Sequence, residues 1–112
     1  DQSGPNPWIC FEFKENKIIP TCYQIRSKSE GANGCHPKSW LIEGSNDSSN
    51  WEVLDSKENC SILNGSNIPH LFSINNKNSK EFRYIRMKLE GKAWCGNYHL
   101  ELDSFELYGK LI

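Results

Sequence analysis

The chain lacks any apolar run of about 18 residues, so no segment reads as a membrane-spanning helix. Charge of one sign is not in excess either. Thirteen Lys and Arg against 14 Asp and Glu leave a formal net charge of −1. No basic stripe stands out, so the electrostatic footprint of nucleic-acid binding is missing. The opening DQSGPNPW has no charged-then-apolar signal pattern. Helix-period stretches, internal repeats and linkers are absent. So are a nucleophile elbow, a phosphate-cradling loop and paired carboxylates at helical spacing, which removes the usual sequence grounds for an enzyme.

What the chain does have is alternation. At 112 residues, 12% of them aromatic, it has the size of one domain with one core, spanning residues 1–112. Ile9, Phe11 and Phe13 share a strand face. From Thr21 to Ser27, Tyr23 and Ile25 point one way and Cys22, Gln24 and Arg26 the other. Pro20 can only open that strand or sit at an edge. Ser39 to Asp55 contains two apolar runs, Trp40-Leu41-Ile42 and Trp51-Glu52-Val53-Leu54, around the turn-rich Gly44-Ser45-Asn46-Asp47-Ser48-Ser49-Asn50. That is a hairpin with a Trp on each arm, both assigned to the core. Strands over His70–Ile74 and Phe82–Leu89 follow, and Leu100, Leu102, Phe105, Leu107 and Tyr108 carry the closing strands. The fold class is all-β, an antiparallel β-sandwich.

If successive strands reverse, their connections alternate between two ends. One end receives the short polar turns 14–18, 44–50 and 75–81. The other receives the segment 1–7 and the longer loops 28–37, 57–69 and 90–97. Function in a sandwich concentrates on loops held by a rigid scaffold, so the second end is selected.

Cys10, Cys22, Cys35, Cys60 and Cys95 are odd in number and irregular in spacing. Cys10 and Cys22 sit in apolar strand patterns and read as small core residues. Reduced thiols in an intracellular, cytoplasmic setting are favoured over one or two disulfides in a secreted form. Sequons at Asn46, Asn59 and Asn64 read as chance matches in a chain rich in Asn and Ser.

The hairpin Ser39-Trp40-Leu41-Ile42-Glu43-Gly44-Ser45-Asn46-Asp47, with Trp51 and Leu54 beyond it, resembles the mid-domain hairpin of the discoidin, or coagulation factor 5/8 type C, family. Phe82-Arg83-Tyr84-Ile85-Arg86 and Phe105-Glu106-Leu107-Tyr108-Gly109 match in order, and Trp8-Ile9-Cys10-Phe11-Glu12-Phe13 resembles an early strand. The resemblance implies a jelly-roll-like, galactose-binding-like sandwich of about eight strands that binds ligands with loops at one end. It also implies that some N-terminal elements are missing here and that the module is part of a larger protein. Extracellular relatives often join their termini by a disulfide. No cysteine here lies near either end, which agrees with reduced thiols. Many relatives hold a structural calcium, for which Asp1 and Glu106 are the nearest candidates. DQSGPNPW only partly resembles the calcium loop, and Ser104 falls near where an acidic ligand is expected, so no metal or other cofactor is assigned.

Trp94, Asn97 and Tyr98 are the sharpest binding candidates. A loop aromatic can stack on a sugar ring while amides bond its hydroxyls. Asn33, His36 and Lys38 on a neighbouring loop offer polar partners, and Arg26 lies beside them at a strand end. The competing reading packs Trp94 under its own loop, leaves His36 as an exposed loop histidine and gives Arg26 a local pair. Arg83 and Arg86 read as a solvated face. Zinc would require Cys35-His36 and Cys95-x-x-x-His99 to converge, which adjacency disfavours. The expectation is a non-catalytic binding module, with carbohydrate as the leading ligand. The alternative is a protein-interaction module within a larger intracellular assembly. Anionic lipid ranks last, because Trp94 is the only large apolar loop tip.

Overall fold

Alternating apolar positions draw seven strands into two antiparallel sheets in the computed structural model, which describes residues 6–112. The strands are β1 (Trp8–Glu12), β2 (Ile18–Arg26), β3 (Trp40–Ser45), β4 (Glu52–Lys57), β5 (Pro69–Ser73), β6 (Tyr84–Leu89) and β7 (Ser104–Leu111). One sheet has the order β1-β6-β3-β4 and the other β5-β2-β7. The all-β sandwich expected from alternation is what forms. Segment 1–5 lies outside the described residues, and the resemblance's eighth strand is not found among residues 6–112.

The period-2 pattern puts Tyr23 and Ile25 of β2 inside, facing Ile42 of β3 and Ile85 and Met87 of β6. Trp40 is fully buried, edge-on to Phe72 of β5. Tyr23 stacks on Phe72 and Phe105, and Phe105 on Phe11. Each such side chain contributes roughly 1.5–3 kcal/mol by leaving water. Leu63 and Ala93, both buried, come from connecting loops and close the core at one end.

Several sequence assignments need correction. Cys10 is exposed on the outer side of β1, opposite Arg86, and Cys22 is half-buried on the outer side of β2. Both lie one position out of phase with the buried residues, so they are not core. Trp51 is half-buried rather than core: it precedes β4 and stacks under the Arg86 guanidinium, 3.9 Å from the ring centroid. Leu100 and Leu102 precede β7 in irregular backbone but still pack against the core.

The turn end is stitched by side chains. Asn46 donates to the Glu81 carbonyl and accepts from the Arg83 amide. The Arg83 guanidinium donates to the carbonyls of Phe13 and Lys14 at 2.8 and 2.9 Å. Arg83 is therefore a tie between turns and not a solvated charge. Arg86 is likewise engaged, bonding Glu43 at 2.8 Å. Gly44 is obligatory because the Phe82 ring lies 2.7 Å from where a Cβ would sit.

Candidate functional site

Loops 27–39, 58–68 and 90–103 gather at the opposite end, as the alternation of strand directions requires. They bond to one another extensively. Asn33 and Asn64 pair through the Asn33 amide to Asn64 Oδ1 at 2.7 Å, with Asn64 Nδ2 returning to Asn33 Oδ1 at 3.3 Å. The Asn67 amide donates to the Lys28 carbonyl, and Ser27 Oγ bridges Gly65 and Ile68. The Trp94 amide reaches the His36 carbonyl, and its indole N–H donates to the Cys60 carbonyl at 3.1 Å. A disulfide between Cys35 and Cys95 joins the first and third loops.

That bridge corrects the reduced-thiol reading for two of the five cysteines. Cys10, Cys22 and Cys60 are free thiols. It also changes the zinc reading: the two loops do meet, but their sulfurs bond to each other. Among the described residues no three His, Cys, Asp or Glu side chains cluster in a metal-holding arrangement. Of the calcium candidates, Asp1 lies outside the described residues. Glu106 accepts the Tyr108 hydroxyl at 2.6 Å on the outer face of β7, and that bond raises the Tyr108 pKa above its ordinary value.

His36 is fully buried, neither the exposed residue nor the ligand partner that its loop position suggests. Its Nε2 lies 2.9 Å from the Glu30 carbonyl and 3.0 Å from that of Gly31. Carbonyls only accept, so Nε2 carries the proton and the ring latches its own loop. Nδ1 finds no partner among the described residues. His36 is thus unavailable to a ligand.

Trp94 is half-buried, with its N–H used and Lys38 Nζ over its ring at 4.7 Å. Packing under its own loop describes it better than a free stacking platform. Tyr98 is an exposed aromatic on the third loop, 41% accessible, with Lys92 Nζ 5.9 Å from its ring centroid. Asn97 and Asn33 are exposed beside these loops. Asn97 presents its carbonyl to the Ala93 amide, which closes the 93–97 turn. Arg26 does not converge with them. It is half-buried, and its guanidinium reaches only the Asn67 carbonyl at 3.5 Å. Of the three sequons, Asn46 and Asn64 have their amides committed within the fold.

A groove of about 310 Å³ opens beside this end, lined by Ile9, Leu100 and Leu102 with Lys28 and Glu101 on its rim. The two charges stand 3.6 Å apart and half exposed. Such a pair is worth little, about 0–1 kcal/mol.

No family model matches the chain. It is similar to a stretch of the E3 ubiquitin-protein ligase Ufd4 of Drosophila melanogaster, 31% identical over 98 residues. It is also similar to the E3 ubiquitin-protein ligase hecd-1 of Caenorhabditis elegans, 27% identical over 96 residues. Each alignment covers 85% of this chain, which spans 4% of the length of these curated relatives.

Solved structures share the fold. The C-terminal domain of a chitobiase from Bacteroides fragilis superposes with a TM-score of 0.73 at 13% identity, covering 98% of this chain and 67% of that one. Chitosan-binding module 1 of a chitosanase/glucanase from Paenibacillus sp. IK-5 gives 0.62 at 20% identity, covering 96% and 71%. A putative chitobiase fragment from Bacteroides thetaiotaomicron gives 0.65 at 14% identity, covering 96% and 63%.

Proposed function

We propose that this chain is a non-catalytic, discoidin-type binding module that recognises carbohydrate through its three-loop end. The observation that carries the reading is Tyr98, an aromatic ring exposed on a loop end that is otherwise covalently and hydrogen-bond braced. A sugar presents an apolar ring face and a rim of hydroxyls. Tyr98 offers the stacking surface, and Asn97, Asn33 and Lys92 offer donors and acceptors around it. Trp94, beneath Lys38, supports the loop from below. Bracing matters because a preformed site spends little binding energy on ordering itself. The fold likeness to a chitosan-binding module makes amino-sugar polymers a natural first probe.

The test is a glycan array, with chitosan oligomers included, on the wild type and Tyr98→Ala after circular dichroism confirms that both fold. Binding by the wild type that drops at least tenfold in the variant supports the site. A folded wild type that binds no glycan overturns it.

The similarity to segments of two very long ubiquitin ligases favours a second reading, a protein-interaction module within a larger assembly. Trp8, Leu41 and Val53, exposed or half-exposed on the outer face of the four-stranded sheet, would then contact a partner chain. Trp8→Ala together with Val53→Ser would abolish that association and leave glycan binding intact.

A further inference from the structure

Two of the three loops at the ligand end are held by a bond that ordinary cellular chemistry can break. We propose that the Cys35–Cys95 bridge is a thiol–disulfide exchange site whose opening releases the 90–98 segment from the rest of the loop end. The effect on affinity rests on the carbohydrate reading above; the release of the segment does not.

Three features support this. Both cysteines are half-buried rather than enclosed, so an incoming thiolate has a path to sulfur. Gly96, directly after Cys95, has open space where a side chain would stand, and Gly34 directly precedes Cys35. The 90–98 segment also contains two glycines with left-handed backbone, Gly91 and Gly96, both at φ +84°. It can therefore pivot at both points at small steric cost.

The two loops differ in what remains once the bridge is cut. The first keeps the His36 ring on the carbonyls of Glu30 and Gly31, and Asn33 on Asn64. The third keeps the Trp94 amide on His36, the Trp94 indole on Cys60 and the Lys38 contact, with the Glu90 amide on the Ser39 carbonyl and the buried Ala93 anchoring its first half. Opening is thus asymmetric. The part bearing Asn97 and Tyr98, beyond Gly96 and bonded through the Asn97 carbonyl to its own turn at Ala93, moves, while the His36 loop stays in place.

The chemistry balances with a dithiol as reductant. One thiolate of the dithiol attacks a bridge sulfur, the S–S bond breaks, and the other cysteine leaves as a thiolate that takes up a proton. The second thiol of the dithiol then displaces the first cysteine. The products are two protein thiols and one oxidised dithiol, with two electrons transferred to the bridge. Reaction with a second disulfide reverses the exchange.

The experiment compares the oxidised chain, the chain treated with dithiothreitol and the Cys35→Ser/Cys95→Ser variant. Alkylation and mass spectrometry first establish that Cys35 and Cys95 are paired in the untreated protein. Hydrogen–deuterium exchange then reports on 90–98 and on the strands. The expected result is exchange at least tenfold faster across 90–98 in both opened forms, with β2, β3 and β6 unchanged. Equal exchange in all three forms overturns the proposal, and so does simultaneous loss of protection in the strands, which would make the bridge a general staple. Chitosan oligomers serve as the binding probe on the same samples. A fall of about tenfold in affinity on opening, inside the roughly 5–150-fold range usual for coupled sites, supports control of binding. Unchanged affinity with the segment released overturns that control. Absence of binding in every form overturns the carbohydrate reading, and the exchange rates alone then decide the proposal.

Discussion

Tyr23 and Asp55 join the two sheets through the middle of the sandwich. The Tyr23 hydroxyl donates to Asp55 Oδ2 at 2.6 Å and accepts the Trp40 indole N–H at 2.9 Å. Lys57 holds the other carboxylate oxygen at 3.1 Å. Burial, then the bond to Asp55, pushes the Tyr23 pKa above its ordinary value. Tyr23→Phe keeps the ring packing but strands the Trp40 N–H and a carboxylate oxygen. The expected cost is about 1–3 kcal/mol by urea unfolding. A raised pKa in the folded state means its contribution is complete below about pH 10 and is lost as pH climbs through the folded value. Wild-type stability should therefore fall in strong alkali more steeply than that of Tyr23→Phe.

Gly44→Ala places a methyl group against the buried Phe82 ring. Overpacking of that kind costs about 1–3 kcal/mol. The loss should appear as a lower thermal midpoint. Phe82→Leu in the same chain should recover part of it, because the smaller side chain vacates the contact.

Asp47 sits at the tip of the central hairpin and accepts the amides of Ser49 and Asn50, the Asn50 carboxamide and the Ser45 hydroxyl. The Asn50 and Ser49 amides lead in holding its carboxyl well below the usual range. A depressed pKa contributes stability above the unfolded value, near pH 4, and loses it as pH falls through the folded one. The wild type should lose stability on acidification below about pH 4. Asp47→Asn should be less stable at neutral pH and flatter through that acid range.

His36→Ala removes the latch on Glu30 and Gly31, leaving the Glu30 carbonyl without its side-chain partner and the Gly31 carbonyl with the Gly34 amide alone. A loss of about 1–3 kcal/mol is expected. Backbone amides of the 28–37 loop should also exchange faster than those of 90–98, since Cys35 and Cys95 remain joined. Equal protection in the two loops would show that the latch is unimportant.

The strands were legible because burial on one face leaves a period-2 trace, as Tyr23, Ile25, Ile85 and Met87 show. The gathering of the three long loops at one end was legible from strand parity alone, since antiparallel neighbours must alternate their connections. The contents of that end were harder to read. A loop histidine among Gly, Asn and Lys carries no pattern of burial, so His36 read as exposed. Cys35 and Cys95 stand 60 residues apart, and nothing local marks them as partners. Trp94 and Tyr98 are neighbours of similar chemistry. Only the fold decides which ring goes under Lys38 and which faces water. Trp51, Arg83 and Arg86 misled for a related reason: an outward residue on a strand or beside one can still be engaged by its neighbours, as Trp51 is by Arg86.

The alternation of connections also separates two kinds of freedom. Asn46, Asp47 and Arg83 form a knot at one pole that defines the register of the hairpins. The opposite pole holds Asn33, Asn97 and Tyr98 on loops whose bases are clamped by the strands. The exposed side chains of Asn33, Asn97 and Tyr98 make no bond to the first pole, so replacing them leaves its hydrogen bonds untouched. The protein thereby separates the grammar of its fold from the vocabulary of what it contacts.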